Sequence, residues 1–191
     1  MKKTFFAALV ASLFATQAMA SLQTYNVNPA HTHSRISYDH TGMSTQVLSF
    51  KQTSGTVRFN PERRDARLDI HIAMDSADTG FEPFNEHVQG EGFLDAAQFP
   101  TATFRSTVVH FDGDTPVSVD GNLTIKGVSK PVTLDISSFF HGPHPVLQED
   151  AIGANATTVI KRSDFNPSKF VSTEDDEVRL NIALEAIIDK S

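Results

Sequence analysis

The sequence feature that most constrains the fold is a strict alternation of apolar and polar residues. Between Leu68 and Met74, every second side chain is apolar, so the apolar groups share one face of an extended chain. A period of two is typical of a β-strand with one buried face, whereas an amphipathic helix repeats about every 3.6 residues. The segment therefore predicts a strand in a sheet that is covered on one side.

The same alternation recurs along the chain and predicts about eight or more strands. A loop with Gly127 and Pro131 separates two of them and indicates a hairpin. The other predicted strands contain Ile36 to His40, Val57 to Phe59, Phe104 to Phe111, Leu123 to Ile125, Val132 to Ile136, Ala156 to Ile160 and Val178 to Ile188.

One stretch departs from the alternation and predicts a short helix from Thr79 to Gln89. Pro83 lies near its first turn, and Gly90 follows its end. Proline near the start and glycine after the end are typical helix boundaries. A second short turn is predicted from Asp95 to Gln98.

Many alternating strands with hardly any helix between them favour an all-β fold, in which an antiparallel sheet closes into a barrel or folds into a sandwich. The chain has 15 phenylalanines and no tryptophan. These rings either form a packed core or line an apolar tube, since a barrel of about eight strands is just wide enough for one slender ligand. The alternation leaves both interpretations open.

The N-terminus predicts a secretory signal peptide over residues 1–20. A basic start at Lys2 and Lys3 is followed by an apolar run from Phe5 to Ala15, and the segment ends at Ala18 and Ala20. An apolar run of about 11 residues is too short to span a bilayer, and small residues two apart suit a signal peptidase. We expect cleavage after Ala20, one domain over residues 21–191, and a periplasmic location.

Composition narrows the partners of this expected mature domain. Without Lys2 and Lys3 it has 14 basic and 23 acidic residues, a net charge of about −9, which disfavours nucleic acid and anionic membranes. No later segment is apolar for long enough to anchor the chain in a membrane. The absence of cysteine removes disulfides and thiolate chemistry, so the fold has to be stabilised by burial.

Five blocks of sequence carry a resemblance to a known family. They include the segment Phe99 to Phe104 (FPTATF), the segment Gly121 to Leu134 (GNLTIKGVSKPVTL) and the segment Arg162 to Phe165 (RSDF); the others begin at Tyr25 and Asp176. In this order the blocks resemble the YceI-like family of polyisoprenoid-binding, lipocalin-like proteins. Phe84-Asn85, Gly92 and Asn166 depart from the family pattern, which has Arg-Asp, an acidic residue and glycine there.

The resemblance implies an extended antiparallel barrel of about eight strands, lipocalin-like, with one or two short helices. Its apolar interior would bind a polyisoprenoid, an isoprenoid quinone or a related long-chain lipid, outside the cytoplasm and without a cofactor. Alternation fixes which residues share a face, and we expect the ligand-binding residues to be Ile36, Tyr38, Phe59, Ile70, Ile72, Phe93, Phe99, Phe104, Leu123, Ile125, Leu134 and Phe165.

Other roles stay open at this point. His31 with His33, and His141 with His144, have spacings that suit zinc or copper, so a metal-binding module is one alternative. A module that binds a protein partner is another, and the protein could be a monomer or a homodimer. The chain has no nucleophile elbow, HExxH motif or phosphate loop, so we assign no catalytic residue.

Overall fold

The structure is a computed structural model that describes residues 21–165 and 176–191. The predicted signal peptide and Asn166 lie outside the described residues. The strands are β1 (Gln23–Val27), β2 (His33–His40), β3 (Ser44–Phe50), β4 (Thr53–Asn60), β5 (Asp65–Ala73), β6 (Ala77–Asp78), β7 (Thr101–Asp112), β8 (Thr115–Ile125), β9 (Val128–Pro143), β10 (Asp150–Lys161) and β11 (Glu177–Ile188). One α-helix, α1 (Glu82–Gln89), and 3-10 turns at Met74–Ser76 and Arg162–Phe165 complete the described part.

Eight strands close into an antiparallel barrel. Their order is β1, β4, β5, β7, β8, β9, β10 and β11, and β11 pairs back with β1. Strand β11 has two partners on this side, because its end pairs with β1 and closes the barrel, and its beginning pairs with β2. Strands β2, β3 and β6 extend the wall from there. This arrangement confirms the predicted all-β barrel.

The alternation of the sequence becomes the inside and outside of this barrel. Phe104 on β7 pairs with Leu123 on β8, and both side chains are buried. Gly121 has the same inward direction as Leu123, and a side chain there would collide with the ring of Phe104. A glycine at this position therefore lets a large aromatic ring enter the interior.

Helix α1 begins three residues later than predicted. The side-chain carbonyl of Asn85 accepts hydrogen bonds from the backbone N–H and the hydroxyl of Thr79, at 2.7 and 2.8 Å. Gly80 has a φ of +85°, which a right-handed helix does not allow. Residues 79–81 therefore form a turn that the buried Asn85 holds against the helix. The predicted end at Gln89, directly before Gly90, is confirmed.

Candidate functional site

An elongated apolar cavity runs through the barrel. Its volume is about 500 Å³, and it is lined by side chains from β2 to β5, from β7 to β11, and from α1. Cavities of about 300–1,000 Å³ are typical of small-molecule sites. The interior is thus an apolar space enclosed by strands, in addition to a packed core at its edges.

Most of the residues predicted to bind ligand meet in this lining. Phe99 lies outside it, because it belongs to the turn before β7, where strand alternation no longer sets the side-chain direction; its ring lies against Gly127. Ligand contact by the others stays a prediction. Those in the lining are Ile36, Tyr38, Phe59, Ile70, Ile72, Phe93, Phe104, Leu123, Ile125, Leu134 and Phe165.

Exposed polar residues mark one end of the cavity as its mouth. Asp39, His40 and Thr41 lie there, at the turn between β2 and β3. Tyr38 lies two residues before His40 on β2 and is therefore deeper in the cavity. The guanidinium carbon of Arg162 lies 5.3 Å from the centre of the Tyr38 ring. Burial raises the pKa of Tyr38, and the positive charge of Arg162 partly opposes this rise.

Arg162 is the least satisfied group at the mouth. Its Nε atom is buried and has no hydrogen-bond partner among the residues that the structure describes. Buried polar atoms in native proteins are rarely left unpaired, and such exceptions commonly mark a place where a ligand or water binds. The Arg162 side chain lines the cavity. The mouth therefore contains a cation with an unpaired donor atom.

Aromatic rings form the other side of the mouth. The ring of Phe84 lies 5.9 Å from that of His87, and His87 lies 4.7 Å from Phe93 in an edge-to-face contact. The amino group of Lys126 donates a hydrogen bond of 2.8 Å to the carbonyl of Phe93, which holds the loop after α1 over β8. Phe84, which departs from the family pattern, therefore adds apolar surface to the lining.

The opposite end of the cavity is closed by an aromatic floor. The ring of Phe59 contacts those of Phe111, Phe139 and His141, at centre distances of 6.5, 5.6 and 5.1 Å. A second cavity of about 120 Å³ lies beyond the floor, and Phe59 lines both cavities. The Phe59 side chain is thus a partition between them.

A hydrogen-bonded group of three side chains lies behind the floor. The hydroxyl of Tyr25, which is 1% exposed, donates to Asp150 at 2.7 Å. His141 lies 3.2 Å from both the Tyr25 hydroxyl and the Asp150 carboxylate. Burial raises the pKa of Tyr25 well above its usual range, and the hydrogen bond to Asp150 and its negative charge raise it further. These groups satisfy one another at the closed end.

Three of the four histidines of the metal hypothesis, His31, His141 and His144, have other contacts. His31 lies 3.0 Å from the side-chain amide of Asn28, and His144 accepts two backbone N–H groups at 3.1 Å. His141 belongs to the floor. Within residues 21–165 and 176–191, no three His, Cys, Asp or Glu side chains are grouped so that they could share a metal ion.

Sequence reasoning missed several polar residues of the lining. Ser34 and Thr53 face the cavity on β2 and β4, and Arg162 and Lys126 reach its mouth. Ser34 has the same alternation as Ile36, so its inward direction was available from the sequence.

The part of the chain that the structure describes has no helix long and apolar enough to cross a membrane.

A closed antiparallel barrel around an elongated apolar cavity defines the class of lipocalin-like proteins. The family model described as YceI-like domain matches residues 25–186, and the chain belongs to this family. It is 33% identical to Protein YceI of Salmonella arizonae over 193 aligned positions, with both chains covered completely.

Solved structures share the fold. The crystal structure of Burkholderia cenocepacia BcnA has a TM-score of 0.69 at 25% identity, covering 84% of this chain and 99% of that one. A polyisoprenoid-binding domain from Saccharophagus degradans, implicated in plant cell wall breakdown, has a TM-score of 0.63 at 16% identity, covering 88% of this chain and 99% of that one. At that identity the likeness concerns the fold.

Proposed function

We propose that the protein binds one long-chain isoprenoid lipid, such as a polyprenol or an isoprenoid quinone, inside the barrel. The observation that carries this proposal is the apolar cavity of about 500 Å³, which is lined from nearly every strand. The related fold of the polyisoprenoid-binding domain from Saccharophagus degradans supports it. The proposed role is binding rather than catalysis, and it needs no metal or cofactor.

The affinity comes from removing the apolar tail from water. Each buried methylene contributes about 0.8 kcal/mol, so five or six enclosed carbons contribute about 4 to 5 kcal/mol before ordering costs are subtracted. A tail of several isoprene units therefore binds without any hydrogen bond. Because an apolar tube discriminates single methylenes weakly, we expect selection by length and shape more than by exact structure.

The polar end of the lipid is expected at the mouth. The closed floor at Phe59 offers packed rings, whereas the mouth offers Arg162 and the partly buried hydroxyl of Tyr38. If the lipid enters with its tail first, the tail reaches the floor and the head group stays beside Arg162 and Tyr38. This orientation avoids burying the head group without partners, which costs free energy.

A cavity-filling substitution tests the proposal. Ala154 faces the cavity on β10, and Ala154→Phe is expected to occupy tail space and to abolish uptake of a long-chain polyprenol, measured by native mass spectrometry. Val159→Phe on the same strand is the matched control, since Val159 is 43% exposed and is not part of the lining. Uptake that is unchanged in a folded Ala154→Phe protein would contradict binding in the barrel.

We also propose that the protein works in the periplasm after removal of residues 1–20. The three zones of a signal peptide in the sequence support this. Cell fractionation followed by N-terminal sequencing is expected to find a periplasmic protein that begins at Ser21. A protein that stays in the cytoplasm with Met1 in place would contradict it.

A further inference from the structure

Two hydroxyl groups form a polar spot deep in the apolar wall. The hydroxyl oxygens of Ser34 on β2 and Thr53 on β4 are 3.3 Å apart, and the residues are 6% and 2% exposed. Both side chains line the cavity. Towards the mouth on β2 the next lining residue is Ile36, and Val57 lines the cavity on β4, so apolar side chains adjoin the pair.

The hydrogen count of this pair is incomplete. Two hydroxyls carry two donor hydrogens, and the bond between them uses one. Neither hydroxyl makes another hydrogen bond within the part of the chain that the structure describes. One buried O–H group is therefore left without an acceptor, on the side of the wall that faces the cavity.

Thr32 shows what a satisfied hydroxyl looks like in the same wall. It also lines the cavity and is fully buried. Its hydroxyl donates to the carbonyl of Glu185 and accepts from the N–H of Glu185, both at 3.1 Å. The backbone therefore satisfies Thr32 completely, whereas Ser34 and Thr53 retain a donor for something in the cavity.

We propose that Ser34 and Thr53 form a hydrogen-bonding subsite for an oxygen acceptor, such as a ketone, within the apolar chain of the ligand. This inference rests on the proposed function and extends its ligand class to long-chain lipids with an oxygen along the tail, which a polyprenol and an isoprenoid quinone lack. It favours lipids with one carbonyl-type oxygen along the tail over pure hydrocarbon tails. The gain arises because a buried donor without a partner is costly, and such an oxygen removes that cost.

The depth of the subsite specifies where that oxygen lies. Ser34 is four residues before Tyr38 on β2, about 13 Å along the strand or about 10 Å along a barrel axis tilted by about 40°. An extended chain advances about 1.2 Å per bond, since three backbone bonds cover about 3.3–3.6 Å. The acceptor should therefore lie about eight or nine bonds from a head group held beside Tyr38 and Arg162.

Position isomers of a keto fatty acid test this depth. The probes are octadecanoic acid and three keto derivatives, with the ketone near the carboxylate, about nine bonds from it, or near the methyl end. Calorimetric titration of the mature protein should give about tenfold tighter binding of the mid-chain ketone than of the other two ketones. The double variant Ser34→Ala/Thr53→Val should lose this preference and keep its affinity for octadecanoic acid.

The double variant is expected to fold, because replacing both partners of a hydrogen bond by apolar groups of similar shape is nearly neutral. The matched control is Thr124→Val/Ser129→Ala, which removes a hydroxyl pair of 3.1 Å that is exposed and lies outside the lining. This control should keep the preference for the mid-chain ketone. Its circular dichroism and that of the double variant should match the unmodified protein.

The outcomes separate the subsite from the proposed function. Equal affinity for all three ketones, or a preference that survives in the double variant, would overturn the subsite and leave lipid binding intact; the hydroxyl pair would then hold a water only. If none of the acids and no polyprenol binds, lipid binding itself fails and the subsite fails with it.

Discussion

The two ends of the barrel differ in how their polar groups are satisfied. At the floor, Tyr25, Asp150 and His141 bond to one another behind the packed ring of Phe59. At the mouth, the buried Nε of Arg162 has no hydrogen-bond partner among the described residues. A satisfied network stabilises a fold, whereas an unsatisfied donor lowers stability until something binds it. The polar groups of the floor are therefore satisfied without a ligand, whereas the mouth retains an unpaired donor.

This difference separates the effects of substitutions. A change at the floor should lower the free energy of unfolding and alter the length of chain that fits. A change at the mouth should mainly alter affinity for the ligand, and it should lower the free energy of unfolding clearly less than a change at the floor. The following substitutions test this separation in order of expected effect.

The largest effect is expected for Phe59→Ala. Phe59 is 2% exposed, and removal of a buried phenylalanine ring typically lowers the free energy of unfolding by about 3–5 kcal/mol. The change also joins the two cavities, so the remaining folded protein should accept longer chains. Phe93→Ala at the mouth, where the ring is partly exposed, should cost clearly less. Urea unfolding measures both, and equal losses would contradict the difference between the ends.

The next effect is on affinity. Arg162→Gln should weaken binding of an acidic amphiphile by about tenfold or more, since a charged hydrogen bond is worth about 1.5–3 kcal/mol. Affinity for the corresponding long-chain alcohol should fall less than affinity for the acid. The unfolding midpoint of Arg162→Gln should stay close to that of the unmodified protein. Arg179→Gln is the matched control, because Arg179 is exposed on β11. Equal affinity of both variants for the acid would remove Arg162 from the head-group site.

A smaller effect is expected for Tyr25→Phe, about 1 kcal/mol of stability at neutral pH for one lost hydrogen bond. The raised pKa of Tyr25 adds a pH dependence. Above pH of about 10 an unfolded tyrosine ionises while the folded Tyr25 stays protonated, so unfolding releases a proton and the native protein loses stability as pH rises. The variant lacks this contribution.

Unfolding curves at neutral pH and above pH of about 10 measure the difference. The stability gap between the native protein and Tyr25→Phe should shrink at high pH. Tyr38→Phe at the mouth should show less of this change, because the charge of Arg162 opposes the rise of the Tyr38 pKa. A constant gap for Tyr25→Phe across the pH range would show that the floor network does not hold the proton.

The smallest effect concerns Asp78, which connects α1 to the wall of the mouth. A hydrogen bond from Lys51 at 2.8 Å, with others from Asn85 and Gly80, lowers the pKa of Asp78 to about 2. Because the pKa is lowered in the folded state, Asp78 stabilises the fold above the unfolded pKa of about 3.9. This stabilisation is lost as the pH falls towards about 2. Asp78→Asn should therefore reduce the acid dependence of unfolding, followed by circular dichroism. An identical acid transition would exclude this contribution.

The sequence predicted the strands well, because a period of two determines which side chains share a face. Alternation left a barrel or a sandwich open, and the resemblance to the YceI-like family implied the barrel. Residues that share one face of a strand, such as Ile70 and Ile72, could be identified from their spacing, but the spacing did not determine which face points inward. Phe99 could not be placed, because a turn gives side chains no fixed direction. The start of α1 was placed too early because the turn depends on the Asn85 side chain, which propensity does not describe.

The polar features of the site were harder to predict for a different reason. Whether Arg162 finds a partner depends on residues that are distant in sequence, and no local pattern records it. Alternation places Ser34 on the same face of β2 as Ile36. A single serine on an apolar face is common in strands, however, and does not by itself indicate a binding site. The pairing of Ser34 with Thr53 arises only when β2 and β4 meet in the folded barrel.

Native mass spectrometry of the mature protein, purified from its own cells without detergent, tests the central claim most directly. We predict a stoichiometric adduct that organic extraction identifies as a long-chain isoprenoid or related lipid, and that is absent from Ala154→Phe. A protein that is always empty, and that takes up no added polyprenol or quinone, would contradict lipid binding in the barrel.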